Sequence, residues 1–457
     1  MPAKAQAAVK GPTPRRLKKY VARCLRLQSY LRFPGDGRTE GRLPAAALLW
    51  ALLMGAWLRR TAFAGIEALG CWRARRALEV SPSFGDDALG YFTARLSPTV
   101  TRRAAVTAVR QAKRHKAFDD GRFIGLALEG TSAGRSREKV CDLCRPYGNK
   151  QREMLGYPHK LVLIRVVGTG LTLPLDVEPY GPGGSEDNAA RRLLRRAIKN
   201  PGRRFADYVV ADGEFARAPF LHDANDLGLS VVVRLKNNLP ELFAVAQKRL
   251  GRQPPHQVFW HGKDRVEIWD ADDFDPWETL RWETVRGIRY RQYKPNGKVG
   301  EAYGLTDFPR HLVSRRTLFR RAKSRWEIEN QGFNDAKNRY GFEHICHPER
   351  HRLLVVWLLT CLALTIERLY RVRYLPRGTH PVRAAIELLL LLQRSLGTSA
   401  PTVTDSRCNL PRCGPWVFPF SAFLRVTPPL VDVSANPEKT GGENSRRLTV
   451  PPRSAVR

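Results

Sequence analysis

Acidic residues are scarce in this 457-residue chain: Asp and Glu together number 43 against 78 Lys and Arg, a formal net charge of +35. Such an imbalance favours a polyanionic partner, because each phosphate neutralised by Lys or Arg releases condensed counterions. Nucleic acid ranks first and an anionic membrane a distant second. Cysteines are also few; the eight are scattered, which excludes a small disulfide scaffold. No apolar run reaches the roughly 20 residues that span a bilayer. The sole candidate, Ala45–Leu58, is closed by Arg59-Arg60 and reads as a buried core helix. A secretory leader is missing where Met1-Pro2-Ala3-Lys4 runs into a basic arm, so a reducing cytoplasm is the expected compartment. What is present, 43% hydrophobic and 9% aromatic residues, suits a folded protein with at least one sizeable core.

The chain divides by pattern. Residues 1–42 form a basic N-terminal arm whose first twenty residues read as flexible, and 43–119 a small helical DNA-binding domain. Its three helices hold Leu48, Leu52 and Leu53, then Leu89, Phe92 and Leu96, then Val106, Val109 and Ala112, with Asp86 or Asp87 and Ser97 as N-caps. A solvated charged face explains Arg102, Arg103, Arg110 and Lys113 equally well, so no recognition helix is named. From 120 to 239 the order is strand (Phe123–Leu128), a hairpin turning at Gly168-Thr169-Gly170, a helix capped by Ser185, a strand (Phe205–Ala211), a helix and a strand (Leu229–Leu235). That order is the layout of a ribonuclease-H-like α/β core, a mixed sheet with helices on its faces. Residues 240–306 read as a β-rich insertion packed beside it, 307–397 as a long helix capped by Ser314 with further C-terminal helices, and 398–457 as a disordered tail rich in Pro, Ser, Thr and Arg.

Three carboxylates stand out. Glu129 and Asp212 each end an apolar strand and precede Gly, and Glu329 lies on the helix after Ser314. Phosphodiester chemistry with two divalent ions needs carboxylates on rigid elements, with the ions about 3.5–4 Å apart. Arg325 stands one helical turn before Glu329, so it can approach a phosphate beside the metal. A strand-end Asp in a turn and an i,i+4 ion pair are each common for structural reasons alone; the combination carries the argument.

Glu129-Gly130-Thr131, Cys141-x2-Cys144, Val210-Ala211-Asp212-Gly213 and Arg325-Trp326-x-Ile328-Glu329-Asn330, in that order and spacing, resemble the DDE transposases of bacterial insertion sequences, in the insertion-sequence-four superfamily. The likeness covers roughly 45–370. It implies strand cleavage at element ends and strand transfer into target DNA, with Mg²⁺ (or Mn²⁺) held by Glu129, Asp212 and Glu329. It also implies phosphate or DNA contacts from Arg325, Lys337 and Lys236, a homodimer on double-stranded DNA, no membrane, and a bacterial, nucleoid-associated cytoplasmic location. Three positions depart from the family pattern: Glu129 stands where it has Asp, Ala322 where it has Tyr, and Lys337 one residue late. The extra methylene of Glu129 leaves two outcomes open, an enzyme with altered metal geometry or a catalytically impaired DNA-binding remnant. Cys141-x2-Cys144 has half of a zinc spacing, and a structural Zn²⁺ would draw its other ligands from His344, Cys346, His347 or His351. His159 reads as a packed or solvated histidine. Trp260, Trp269, Trp277 and Trp282 read mostly as core, with one of them able to stack on a splayed base.

Overall fold

A computed structural model describes residues 12–397 apart from 40, 79, 81–82, 119–122, 149–152, 203–204, 238, 273, 275–284, 326–333, 345–348, 376–381 and 383. The tail 398–457, Trp277 and Trp282 therefore lie outside the described residues.

Among the described residues ten strands form one mixed sheet: β1 (Gly125–Ser136), β2 (Tyr147–Gly148), β3 (Met154–Val167), β4 (Leu173–Tyr180), β5 (Tyr208–Ala211), β6 (Ser230–Leu235), β7 (Gln257–His261), β8 (Asp264–Ala271), β9 (Arg286–Tyr293) and β10 (Val299–Thr306). The spatial order is β2-β3-β1-β5-β6-β10-β9-β8-β7, with β4 also on β3. β3 is antiparallel to β1 and to β4, whereas β1, β5 and β6 run parallel. The hairpin between β3 and β4 turns where Gly168 and Gly170 take positive φ of 76° and 71°, conformations open to Gly at no steric cost. The Val- and Leu-rich runs of β1, β3, β5 and β6 are buried, as strands covered on both faces must be. β10 pairs antiparallel with β6, so the segment read as an insertion beside the core instead prolongs the same sheet through β9, β8 and β7.

Serine caps place the covering helices. Ser97 accepts from Val100 N–H to open Pro98–Arg114, Ser185 from Asn188 N–H to open Glu186–Lys199, and Ser314 from Thr317 N–H to open Arg315–Ser324. The Asp86–Arg95 helix departs from expectation: Gly85 is its N-cap, and the Asp86 amide is met by Glu67 Oε2 at 3.3 Å. A cap supplied by another helix leaves no local signature.

The arm also differs from its expected flexibility. From Thr13 it forms a helix, Pro14–Lys19, and Leu17, Tyr20 and Val21 are buried, with the Tyr20 ring against Tyr370 and Tyr374. Nor is Ala45–Leu58 the leading apolar segment. Arg350–Tyr374 is the one described helix long and apolar enough to cross a membrane by length and composition, with mean hydropathy 1.8, and 89% of that window is buried within the molecule. The two apolar helices pack together, Trp57 Nε1 donating to the Ala363 carbonyl at 2.8 Å. Arg102, from the N-terminal helices, and Arg196 both bind Asp176 on β4, at 2.9 and 2.6 Å, tying the helical region to the sheet.

Candidate active site

Glu129 does not end its strand. β1 runs on to Ser136, and Glu129 pairs with Leu163 of β3. On the other side, the described ladder to β5 closes at Ala127↔Val210. Two residues further along stand Glu129, on β1, and Asp212, the residue directly after β5; the two strands are parallel neighbours about 4.8 Å apart. Because side chains alternate, both project to the face shared by Ala127 and Val210. The apolar run stops at Leu128, and the next four residues, Glu129 to Ser132, are only partly covered.

Gly130, next in line, faces the opposite side. A Cβ there would lie 2.1 Å from the Glu186 carboxyl, which Tyr180 holds through a 3.0 Å hydrogen bond. Glu186 opens the helix on one face of the sheet, while Glu129 looks toward Arg325 on the other. Arg325 Nη1 lies 4.0 Å from Glu129 Oε1, and Arg325 is itself buried. Its placement follows from the Arg315–Ser324 helix, which it caps. Ser324 Oγ and Tyr208 Oη are 3.1 Å apart, and Arg321 lies over the Phe123 and Tyr208 rings while donating to the Phe123 carbonyl. Ala322, at the position where the family pattern has Tyr, lines a small apolar cavity with Ala211, Val232, Tyr290 and Arg325.

Lys236, just past β6, places Nζ 2.7 Å from Asp212 Oδ2. Burial alone would raise the Asp212 pKa. The Lys236 hydrogen bond, the Gly213 amide and the charges of Arg325 and Lys236 outweigh it and hold the carboxyl below its ordinary range. Asp212 therefore stays ionised at neutral pH. Two hard oxygen donors, one on β1 and one just past the end of β5, each about a fifth exposed, fit a divalent cation of the magnesium class.

Among the sequence-derived candidates, Glu129, Asp212, Lys236 and Arg325 thus converge. Glu329 lies outside the described residues. Lys337, on the helix Asn334–Tyr340, is paired with Glu343 at 2.8 Å.

The cysteine pair is resolved differently from expectation. Cys141 and Cys144 meet His159, not His344: the sulfurs are 3.9 Å apart, and His159 Nε2 lies 3.1 and 3.6 Å from them. These three are the one group of three or more metal-ligating side chains found together among the described residues. His344 instead lines a cavity with Arg60, Thr61 and Tyr340, and His351 Nε2 is bonded to the Leu96 carbonyl at 3.0 Å. Cys346 and His347 lie outside the described residues. Burial holds the His159 pKa down, so its ring is neutral, and burial pushes the Cys141 thiol up. A signal for His159 was present in the chain, since it follows Cys144 by fifteen positions, within the range of zinc-ligand spacings. Trp269 is buried, its indole N–H bonded to the Gln253 carbonyl and Arg289 over its ring, whereas Trp260 is exposed on β7.

Residues 139–366 match the family model described as the transposase DDE domain. The matched span opens after Glu129 and includes Asp212, Lys236 and Arg325. No curated protein matches the chain. Among solved structures, a cryo-electron-microscopy structure of the piggyBac transposase synaptic complex with hairpin DNA is similar at 13% identity, over 87% of this chain and 84% of that one, with a TM-score of 0.40. On the strength of the family match, the chain belongs to the DDE transposases.

Proposed function

We propose that this chain cuts DNA at the ends of its own mobile element by metal-dependent strand cleavage and joins the freed 3′ hydroxyls to target DNA, two copies holding two ends. The observation that carries this reading is the placement of Glu129 on β1 and Asp212 just past its parallel neighbour β5, with Arg325 Nη1 4.0 Å from the first and Lys236 Nζ 2.7 Å from the second. The order β4-β3-β1-β5-β6, with β3 alone antiparallel to its neighbours in the central strands, supports a ribonuclease-H-like core.

Glu129 and Asp212 would hold the cation, Mg²⁺ or Mn²⁺, with Glu329 completing the ligand set. When bound, it supplies a more acidic attacking water or hydroxyl and charge relief for the leaving oxygen. The protein's own contribution is positioning and electrostatics. Arg325, fixed by the Tyr208–Ser324 contact, offers a planar fork of N–H donors to a phosphate beside the carboxylates. Lys236 keeps Asp212 ionised and adds a second cation on the same side. Sheet and helix hold these groups without the entropic cost of ordering a loop.

Strand cleavage of a duplex carrying the sequences that flank the gene, with Mg²⁺ or Mn²⁺ and with EDTA as control, tests the reading. The native chain is expected to nick in a metal-dependent manner, and Asp212→Asn to lose at least about a hundredfold in rate, since even outer-shell partners of a metal ligand are worth 10–100-fold. A second reading rests on Glu129 itself, whose additional methylene displaces the first carboxylate. Cutting by Glu129→Asp but not by the native chain establishes a DNA-binding remnant. If neither protein cuts, the enzymatic reading is lost.

A further inference from the structure

We infer that Cys141, Cys144 and His159 form a zinc site, through Sγ, Sγ and Nε2, that pins the connection between β1 and β3. This site is separate from the carboxylates. Two of the three separations match a tetrahedral zinc site, and the third is about 0.5 Å short of it. Tetrahedral zinc with Zn–S of about 2.3 Å and Zn–N of about 2.0–2.1 Å sets two sulfur ligands about 3.8 Å apart and a sulfur and a nitrogen about 3.6 Å apart. The observed values are 3.9 Å between the sulfurs and 3.1 and 3.6 Å to the imidazole. Both thiols are free cysteines, so no disulfide accounts for the approach.

The backbone is shaped to the same end. Cys144 N–H donates to the Cys141 carbonyl at 3.1 Å, closing a turn that brings both sulfurs to one side, and Val140 N–H points at Cys144 Sγ from 3.4 Å. An isolated β-bridge joins Cys144 to His159, and Arg145 N–H binds the Pro158 carbonyl, so the turn is fastened directly beside the histidine. The His159 ring is fully buried, with Trp357 edge-on to it. Two soft thiolates and an imidazole select zinc over magnesium. Cys141, the partly exposed member, lines a cleft with Asp142, Glu349, Arg350, His351 and Leu354, which gives the fourth tetrahedral position a side open to solvent.

The full chain, purified without chelator, is expected to carry about one zinc per molecule by elemental analysis. Exchange for Co²⁺ should produce thiolate-to-cobalt charge-transfer bands and the intense visible bands of tetrahedral cobalt. Cys144→Ser and His159→Ala should remove the zinc and the cobalt spectrum, and Cys71→Ser, at an exposed cysteine outside the cluster, should keep both. Native protein that is folded but zinc-free and gives no tetrahedral cobalt spectrum overturns the inference, and this arm needs no variant to fold. Metal content that survives Cys144→Ser, or a mass showing Cys141 and Cys144 joined as a disulfide, overturns it equally. None of these measurements involves DNA, so the outcome is independent of the strand-cutting assay.

Discussion

Single carboxylates in this molecule behave in opposite ways because their neighbours differ. Asp307, directly after β10, accepts hydrogen bonds from Val231 N–H at 2.8 Å and Asn225 Nδ2 at 2.7 Å, and among the described residues no cation pairs with it to offset burial. Burial therefore pushes its pKa up to about 6, from 3.8. Between those values the folded chain keeps a proton that the unfolded chain releases, so this stabilisation is complete below the unfolded value and is lost as pH rises through about 6. Asp307→Asn removes the dependence. Denaturant titrations should show the variant losing roughly 2 kcal/mol more, relative to the native chain, at pH 4.5 than at pH 7. Identical differences at both pH values would contradict the assignment. The glycine next to Glu129 also has a local cause: Gly130 is small because the Glu186 carboxyl occupies the space a side chain would need.

At the scale of elements, the connection between the extended sheet and the site runs through Asp270. Fully buried on β8, it accepts from Arg286 Nε and Nη2 on β9 at 3.0 and 2.7 Å, from Arg310 Nε at 3.1 Å, and from Arg315 Nε at 2.5 Å in the first turn of the helix that ends at Arg325. Burial opposes the charge, but Arg315 and Arg286 outweigh it and hold the carboxyl below its ordinary range. Here the sign is the reverse of Asp307: the stabilisation is present above the unfolded pKa and is lost as pH falls through the lower folded one. Asp270→Asn strands the buried Arg286 and should cost about 3–5 kcal/mol in unfolding free energy at pH 7. Because Arg315 then loses its anchor, cleavage should fall as well. Unchanged stability with unchanged cleavage would show that β8 and the helix are docked by other contacts.

For the whole molecule, the excess of cations has a measurable consequence under the proposed function. If 6–10 phosphates are contacted, affinity for duplex DNA should fall by about 10³–10⁵ between 50 and 200 mM salt. Fluorescence anisotropy across that range gives the slope directly. A flat response would mean that the formal charge of +35 is spread over surface that never meets DNA. The ion pairs of Arg102 and Arg196 with Asp176 illustrate why charge alone is a blunt guide, since these cations serve the fold and not a ligand.

Read alone, the chain disclosed whatever local chemistry encodes. Ser97, Ser185 and Ser314 announced helix starts, Gly168 and Gly170 a hairpin, and the alternation of apolar runs with helices the order of the central sheet. It also singled out Glu129, Asp212 and Arg325, because the two acids close apolar runs and precede Gly, and the arginine stands one helical turn before Glu329. The tertiary structure decided what depends on residues distant in sequence. Only the parallel register of β1 and β5 sets Glu129 beside Asp212, only the approach of β6 sets Lys236 against it, and only a bridge to β3 turns His159 from a packed ring into a partner for two thiols. β7, half exposed at the sheet's edge, and the helix cap lent by Glu67 escaped notice for the same reason. Hydrogen bonds between separate elements leave no period in either segment, so they become visible once the sheet has fixed which segments meet.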